Sequence, residues 1–336
     1  MKTYIRKKGS GALALTGSIL AMLVLMASSL TPDPPIIRTP VQLGEKLFND
    51  PILSVDNTIS CASCHKPEMA FTDGLSFSMG VTGKPTGRNT PSVTYLSKRK
   101  VLFWDGRASS LEEQAMGPIT HPDEMGFTIG AAVERLLAND FYKEAFLRVY
   151  NRQPDSILML RAIADFERSL ETFDSPYDEF LAGDDGAISE SAKRGMIIFF
   201  KETTCATEAC HFDNTMGGDS IVSLGIYNDQ DKGLYGRTNN PSDVGKFRSM
   251  PLRNIAITAP YMHDGSKQTL EEVIRFYNEP ENFKDPRVHW QASTVTKKLT
   301  DQDVDDMVAF MESLTDARYL HLLPDRTEKA PNRKKK

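Results

Sequence analysis

The sequence predicts a mainly α-helical chain in which two related domains with long loops follow an N-terminal export segment. Three observations carry that prediction. Apolar residues recur at helical spacing through most of the chain. A Cys…Cys-His unit occurs twice, 146 positions apart. An apolar run stands behind a cluster of cations at the N-terminus.

The elements follow in chain order. Lys2, Arg6, Lys7 and Lys8 precede the run Gly11 to Leu30, "GALALTGSILAMLVLMASSL". A positive flank before an apolar run is an export signal, and this one is long enough for a span of about 20 residues. Residues 1–30 are therefore a cleaved signal peptide or a membrane anchor, and the remainder is expected in the periplasm. No cysteine follows the run, which excludes a lipoprotein. The 336 residues, 40% hydrophobic and 25% charged, suffice for two domains of about 150 residues. Net charge is −5, and the part beyond the four early cations carries 36 basic against 45 acidic residues, so no basic footprint for nucleic acid exists. Residues 326–336 form a basic tail.

Two segments share one design. "GEKLFNDPILSVDNTISCASCH" starts at Gly44 and "GMIIFFKETTCATEACH" at Gly195. Each has Gly-x-x-x-Phe (Gly44/Phe48, Gly195/Phe199), a polar loop, and then Cys…Cys-His. The apolar spacing before each loop suits a helix whose inner face meets a buried group. Two domains of similar size are expected, 36–184 and 185–325, joined near the Gly/Asp/Ser cluster Leu181 to Ser189. Helical spacing also marks Ala131–Tyr150, Ser156–Phe173, Thr269–Asn278 and Thr300–Leu314, with Thr269 and Thr300 as start signals. Runs alternating with period two are short and few.

Four cysteines in an exported chain ordinarily suggest two disulfides. Disulfides give no reason for His65 and His211, which follow Cys64 and Cys210 directly. Zinc would need four ligands, such as all four cysteines, and leaves the matched histidines unexplained. Cys61, Cys64 and His65 have the standard spacing for covalent haem: two thioethers and an axial imidazole. Cys205, Cys210 and His211 have four residues between the cysteines rather than two. That loop only has to arc over one porphyrin edge, so two extra residues can bulge outward. The fold class becomes two cytochrome c-like haem domains, with two covalent haem c groups.

The chain then resembles the bacterial dihaem cytochrome c peroxidases and their relatives, the MauG group. "LFNDPILSVDNTISCASCHKPEMAFTDG", "GRNTPSV", "FWDGRASSLEEQAMGPITHPDEMG" and "LRNIAITAPYMHDGSKQTLEEVIRFYN" occur in family order. The resemblance spans residues 40–325 and implies an enzyme acting on hydrogen peroxide. It makes the haem on Cys61, Cys64 and His65 the peroxide-reactive one. The loop Ser78 to Ser92 lacks the distal histidine that some peroxidases must displace, so this haem is expected open at rest. Met79 either packs there or is a rival ligand. Glu124 matches the family's catalytic acid–base, a group that takes a proton from peroxide and returns it to the leaving oxygen. Gln114 and Pro118 match other positions of that pocket, and His121 lies either near it or at the surface. Trp104 matches the tryptophan between the haems, a relay for electrons or holes; simple packing is its alternative.

Typical peroxidases place a methionine fourteen residues after the histidine of "PYMHDG". Counting fourteen from His263 gives Tyr277, as in the MauG group. His211 and Tyr277 would hold the second iron, with Met262 and His289 as rivals. A phenolate should lower the haem potential and favour higher-valent iron. The resemblance also implies a calcium ion held by the Asn89 side chain and the carbonyls of Thr258 and Pro260. It implies oxidation, through a high-valent bis-Fe(IV)-type haem pair, of an aromatic residue on a partner protein. The Cys-x4-Cys-His site looks like that of the dihaem enzymes of methanobactin-type copper operons, which convert a partner's tryptophan to kynurenine. Thr203 stands where MauG has an exit tryptophan, and Trp290 is the only other tryptophan. The competing readings are a peroxidase fed by a small cytochrome or cupredoxin and a pure electron-transfer protein.

Overall fold

The computed structural model describes Met1 and residues 36–292 and 298–324. The expected signal or anchor segment, apart from Met1, and the tail 326–336 lie outside the described residues. Met1–Ile37 is assigned to one unit and Arg38 onward to a second, compact one. Among the described residues no helix is long and apolar enough to cross a membrane.

The compact unit is built on two similar helix crossings. Helix α1, Pro40–Asn49, starts with Thr39, whose side chain accepts the Gln42 N–H at 3.2 Å, and with proline in the first turn. It buries Leu43, Leu47 and Phe48 completely, each worth ~1.5–3 kcal/mol of hydrophobic stabilisation. Helices α2 (Leu111–Thr120), α3 (Ile129–Leu137), α4 (Asp140–Tyr150) and α5 (Ser156–Arg168) follow. Helix α1 lies so close on α5 that a Cβ on Gly44 would stand 1.9 Å from the Ala162 carbonyl oxygen.

After α6 (Pro176–Leu181), helix α7 (Glu190–Ile197) repeats the device against α9 (Asp301–Ser313). A Cβ on Gly195 would stand 1.9 Å from the Asp306 carbonyl oxygen. Helix α7 widens into a π turn, Ile198–Glu202, a form frequent at functional sites. Phe199 from this turn packs with Met216, Ile274, Val304, Met307 and Phe310. Helix α8, Leu270–Asn278, is capped by Thr269, and α9 by a Thr300/Asp303 capping box. Strands β1 (Ile221–Ser223) and β2 (Lys246–Arg248) pair antiparallel, Ile221 opposite Arg248.

The segment Ala131–Tyr150 is not one helix. Ala138 closes α3, and the Asn139 side chain accepts the Tyr142 N–H at 3.3 Å to start α4. An asparagine that caps a new helix satisfies backbone donors better than one continuing the old helix. Polar ties join the first and second halves of the compact unit. Arg253 donates to the Asp178 carboxylate at 2.6 and 2.8 Å, and Arg88 to Asp231 at 2.7 and 2.8 Å.

Candidate haem sites

At the first site a single helical turn, Cys61–Cys64, is capped by Ser60. The His65 N–H donates to the Cys61 carbonyl at 2.9 Å, which brings both sulfurs and the imidazole into one short hairpin. His65 Nδ1 lies 3.0 Å from the Phe71 carbonyl. That contact holds the proton on Nδ1 and leaves Nε2 as a metal ligand. Ala70 and Phe71 take left-handed φ of 50° and 60° to present this carbonyl. Burial lowers the His65 pKa, keeping the ring neutral, and pushes the Cys61 thiol up to about 12. Among the described residues no three His, Cys, Asp or Glu side chains are grouped to hold a metal ion, and the four cysteines form no disulfide.

Glu124 stands on the loop after α2. Its backbone carbonyl accepts the Val81 N–H at 2.8 Å, which lays the 78–92 loop against it. Gly80 permits this contact, since a Cβ there would stand 1.7 Å from the Asp123 carbonyl oxygen. Burial raises the Glu124 pKa, against the lowering effect of His121 and Arg107. The carboxylate in turn contributes to raising the Cys64 thiol, so the two share one electrostatic environment. Pro118 anchors the loop by accepting the Met125 N–H at 3.1 Å, and Gln114 lies half-buried on α2. His121 is exposed, its Nδ1 3.9 Å from the Glu124 carboxylate. Met79 is 48% exposed rather than packed.

The second site keeps the same hydrogen bonds despite its longer loop. The His211 N–H donates to the Cys205 carbonyl at 3.0 Å, and Nδ1 lies 3.0 Å from the Met216 carbonyl. The extra residues are absorbed by a turn in which the Cys210 N–H donates to the Thr207 carbonyl at 2.8 Å. Phe48 lies 6.3 Å from His65 and Phe199 lies 6.4 Å from His211, ring centre to ring centre. Burial lowers the His211 pKa to about 4 and lifts the Cys205 thiol to about 11.

Cys205, Cys210 and His211 line a largely apolar cavity of about 230 Å³, as does Tyr277 from α8. The clamp between Asn278 and Leu299, with hydrogen bonds of 3.0 and 2.8 Å, fixes the end of α8 beside it. Burial, then the two neighbouring sulfurs, raise the Tyr277 pKa in the absence of a metal. Both rival ligands, Met262 and His289, line the same cavity. Two thiols, an imidazole oriented through Nδ1 and a phenol around one apolar cavity are a donor set that fits a covalent haem.

Trp104 also lines this cavity and donates its indole N–H to the Asn89 carbonyl at 2.8 Å. The Asn89 amide nitrogen is committed to the Leu75 carbonyl at 2.9 Å, leaving its oxygen as the acceptor. Pro260 follows Ala259 through a cis peptide bond, and Thr258 directly precedes the pair. Trp290 is 66% exposed and stacks on His289 at 6.1 Å. Sequence reasoning missed Arg248, which lines the second-site cavity from β2; an arginine between Phe247 and Ser249 carries no sequence signal of burial.

The profile of the di-haem cytochrome c peroxidase family matches residues 38–186. The chain is 35% identical over 292 residues to the methylamine utilization protein MauG of Methylorubrum extorquens, covering 86% of this chain and 80% of that one. It is 33% identical over 311 residues to the cytochrome c551 peroxidase of Pseudomonas aeruginosa, covering 88% and 85%. The fold matches a MauG-like protein associated with microbial copper homeostasis with TM-score 0.72 and 32% identity, covering 87% of this chain and 97% of that one. The diheme peroxidase BthA of Burkholderia thailandensis gives TM-score 0.74 at 25% identity, covering 85% and 88%. Two matched Cys…Cys-His sites in one helical body, together with these likenesses across most of the chain, place it in the dihaem cytochrome c peroxidase and MauG family, haem-dependent oxidoreductases that act on peroxide.

Proposed function

We propose that this chain works as a MauG-like enzyme, drawing two oxidising equivalents from hydrogen peroxide and using them to oxidise an aromatic residue, a tryptophan, on a partner protein in the periplasm. The observation that carries this reading is Tyr277 on the wall of the second cavity, which His211 also lines. Likeness to a MauG-like protein associated with microbial copper homeostasis supports it. When bound, the haems supply the redox chemistry.

The chain's own residues do the rest. His65 and His211, each oriented through Nδ1, would hold the haem irons through Nε2. Glu124, raised by burial, takes a proton from peroxide and returns it to the leaving oxygen, with Gln114 and Pro118 shaping the pocket. Trp104 carries electrons between the sites. Asn89, Thr258 and Pro260 would hold calcium through hard oxygen atoms, and residues 1–30 direct export, with or without retention as an anchor. Trp290, exposed and stacked on cavity-lining His289, is the point at which the partner delivers electrons.

A second reading is a peroxidase reducing peroxide with electrons from a small cytochrome or cupredoxin. Met262 favours it, because its thioether lines the same cavity as Tyr277. Tyr277→Phe separates the two: loss or conversion of the native low-spin ferric signal is expected, and an unchanged signal rejects the phenolate. The partner is tested by mass spectrometry of candidate proteins after peroxide treatment. A tryptophan gaining oxygen is expected, and rapid peroxide turnover with a small cytochrome and no modified partner would favour the second reading.

A further inference from the structure

Arg248, the last residue of β2, is 4% exposed and lines the second cavity. One terminal nitrogen, Nη2, reaches the Met250 sulfur at 2.8 Å, a weak acceptor. Nε and Nη1 have no hydrogen-bond partner. Among the described residues no carboxylate pairs with it. The nearby Arg99 takes Asp213 as its own ion pair and reaches Asp219 at 3.8 Å. Burial and the neighbouring Arg99 push the Arg248 pKa down to about 10 against the raising effect of Asp219, which acts on it without forming an ion pair, so it remains a cation at neutral pH. A buried cation facing an apolar cavity with unused N–H groups calls for an anion inside that cavity. A haem carries two propionate carboxylates on one edge.

We propose that Arg248 is the positioning residue that receives a propionate of the second haem through its unpartnered N–H groups. The proposal rests on the haem reading of this cavity. It assigns Arg248 two tasks. Its backbone N–H donates to the Trp104 carbonyl at 2.7 Å, so the residue that orients the acid edge of the haem also holds the backbone of the relay residue. Its positive charge favours the reduced haem, which carries one positive charge fewer than the oxidised form. The same charge keeps the propionate ionised.

The test uses the haem-loaded full chain with Arg248→Met and Arg248→Lys. Haem is counted by the pyridine haemochromogen spectrum, and the low-spin haem is followed by equilibrium redox titration at several pH values. With two haems bound, Arg248→Met should lower the low-spin potential and add a pH dependence as the released propionate titrates. Arg248→Lys should recover most of the native potential. Native potentials at every pH in an Arg248→Met protein with two haems would overturn the proposal. If that variant does not load two haems, a crystal structure of the loaded native chain decides: a propionate oxygen within about 3.5 Å of an Arg248 nitrogen supports the assignment, and none within that reach overturns it. A native chain with fewer than two haems sinks the reading of the cavity instead.

Discussion

Trp104 and His263 meet edge to face, ring centres 6.3 Å apart, on the wall of the second cavity. A third residue closes the arrangement: Asn89 accepts the indole N–H at 2.8 Å and donates its own N–H to the His263 carbonyl at 2.8 Å. The indole is thus fixed by hydrogen bonding as well as packing. Trp104→Phe keeps an aromatic ring but removes the N–H and makes the ring harder to oxidise. The expected result is near-native reaction of peroxide at the first haem with a spectral response of the second haem at least about tenfold slower, a barrier difference of ~1.4 kcal/mol. Stopped-flow spectra resolve the two haems, and a native rate at the second would reduce Trp104 to a packing residue.

Under the proposed function, the oxidising equivalents must also leave the protein. Thr203 cannot serve as an aromatic exit, and its hydroxyl is committed to the Phe199 carbonyl at 3.0 Å. The loop bearing Trp290 is tied to the attachment segment, because the Thr204 hydroxyl donates to the Gln291 carbonyl at 2.6 Å. Trp290→Phe should therefore prolong the oxidised state after peroxide and slow partner oxidation by about tenfold or more, with both haem spectra native at rest. Peptide mass spectrometry of peroxide-treated native protein without partner should find oxygen added at Trp290 and not at Trp104. Native decay kinetics in Trp290→Phe would move the exit elsewhere.

How much of this was legible in the sequence depends on whether local chemistry decided the outcome. Thr269 and Thr300 start their helices because cap signals act within one turn. The paired Gly-x-x-x-Phe motifs give paired crossings because a missing Cβ and an aromatic four residues on share one helix face. The break at Asn139 was not legible. It depends on a cap outcompeting an otherwise continuous apolar stripe. The π turn at Ile198–Glu202 and the burial of Arg248 were also hidden; no side-chain cap marks the first, and a charged residue type gives no sign of the second.

Glu124 gives a pH prediction of definite sign. To accept a proton from peroxide its carboxyl must be ionised, and burial raises its pKa above the ordinary carboxylate value. The rate of reaction with peroxide should therefore rise with pH through that raised pKa and fall below it. Glu124→Gln should slow the reaction roughly 10²–10⁴-fold and flatten this limb of the profile. A native rate in the glutamine variant would remove Glu124 from the acid–base role.

Glu167 should make stability fall with rising pH. It sits at 3% exposure on α5, with Oε2 lacking any hydrogen-bond partner. Burial raises its pKa from 4.5 to about 8; Arg168 offsets part of this and Glu112 adds to it. The folded state then binds the proton more tightly than the unfolded chain between those two values. The stabilisation is full below the unfolded pKa of 4.5 and is lost as pH rises through about 8. Inside that window the slope is on the order of 1.4 kcal/mol per pH unit. Glu167→Gln replaces the acid with a neutral group of the same shape. Urea midpoints of the haem-loaded chain and this variant, measured across the window, should diverge as pH rises, with the variant holding its stability. Parallel curves would mean that Glu167 is already paired in the folded protein, and the buried acid would then have no part in its alkaline weakening.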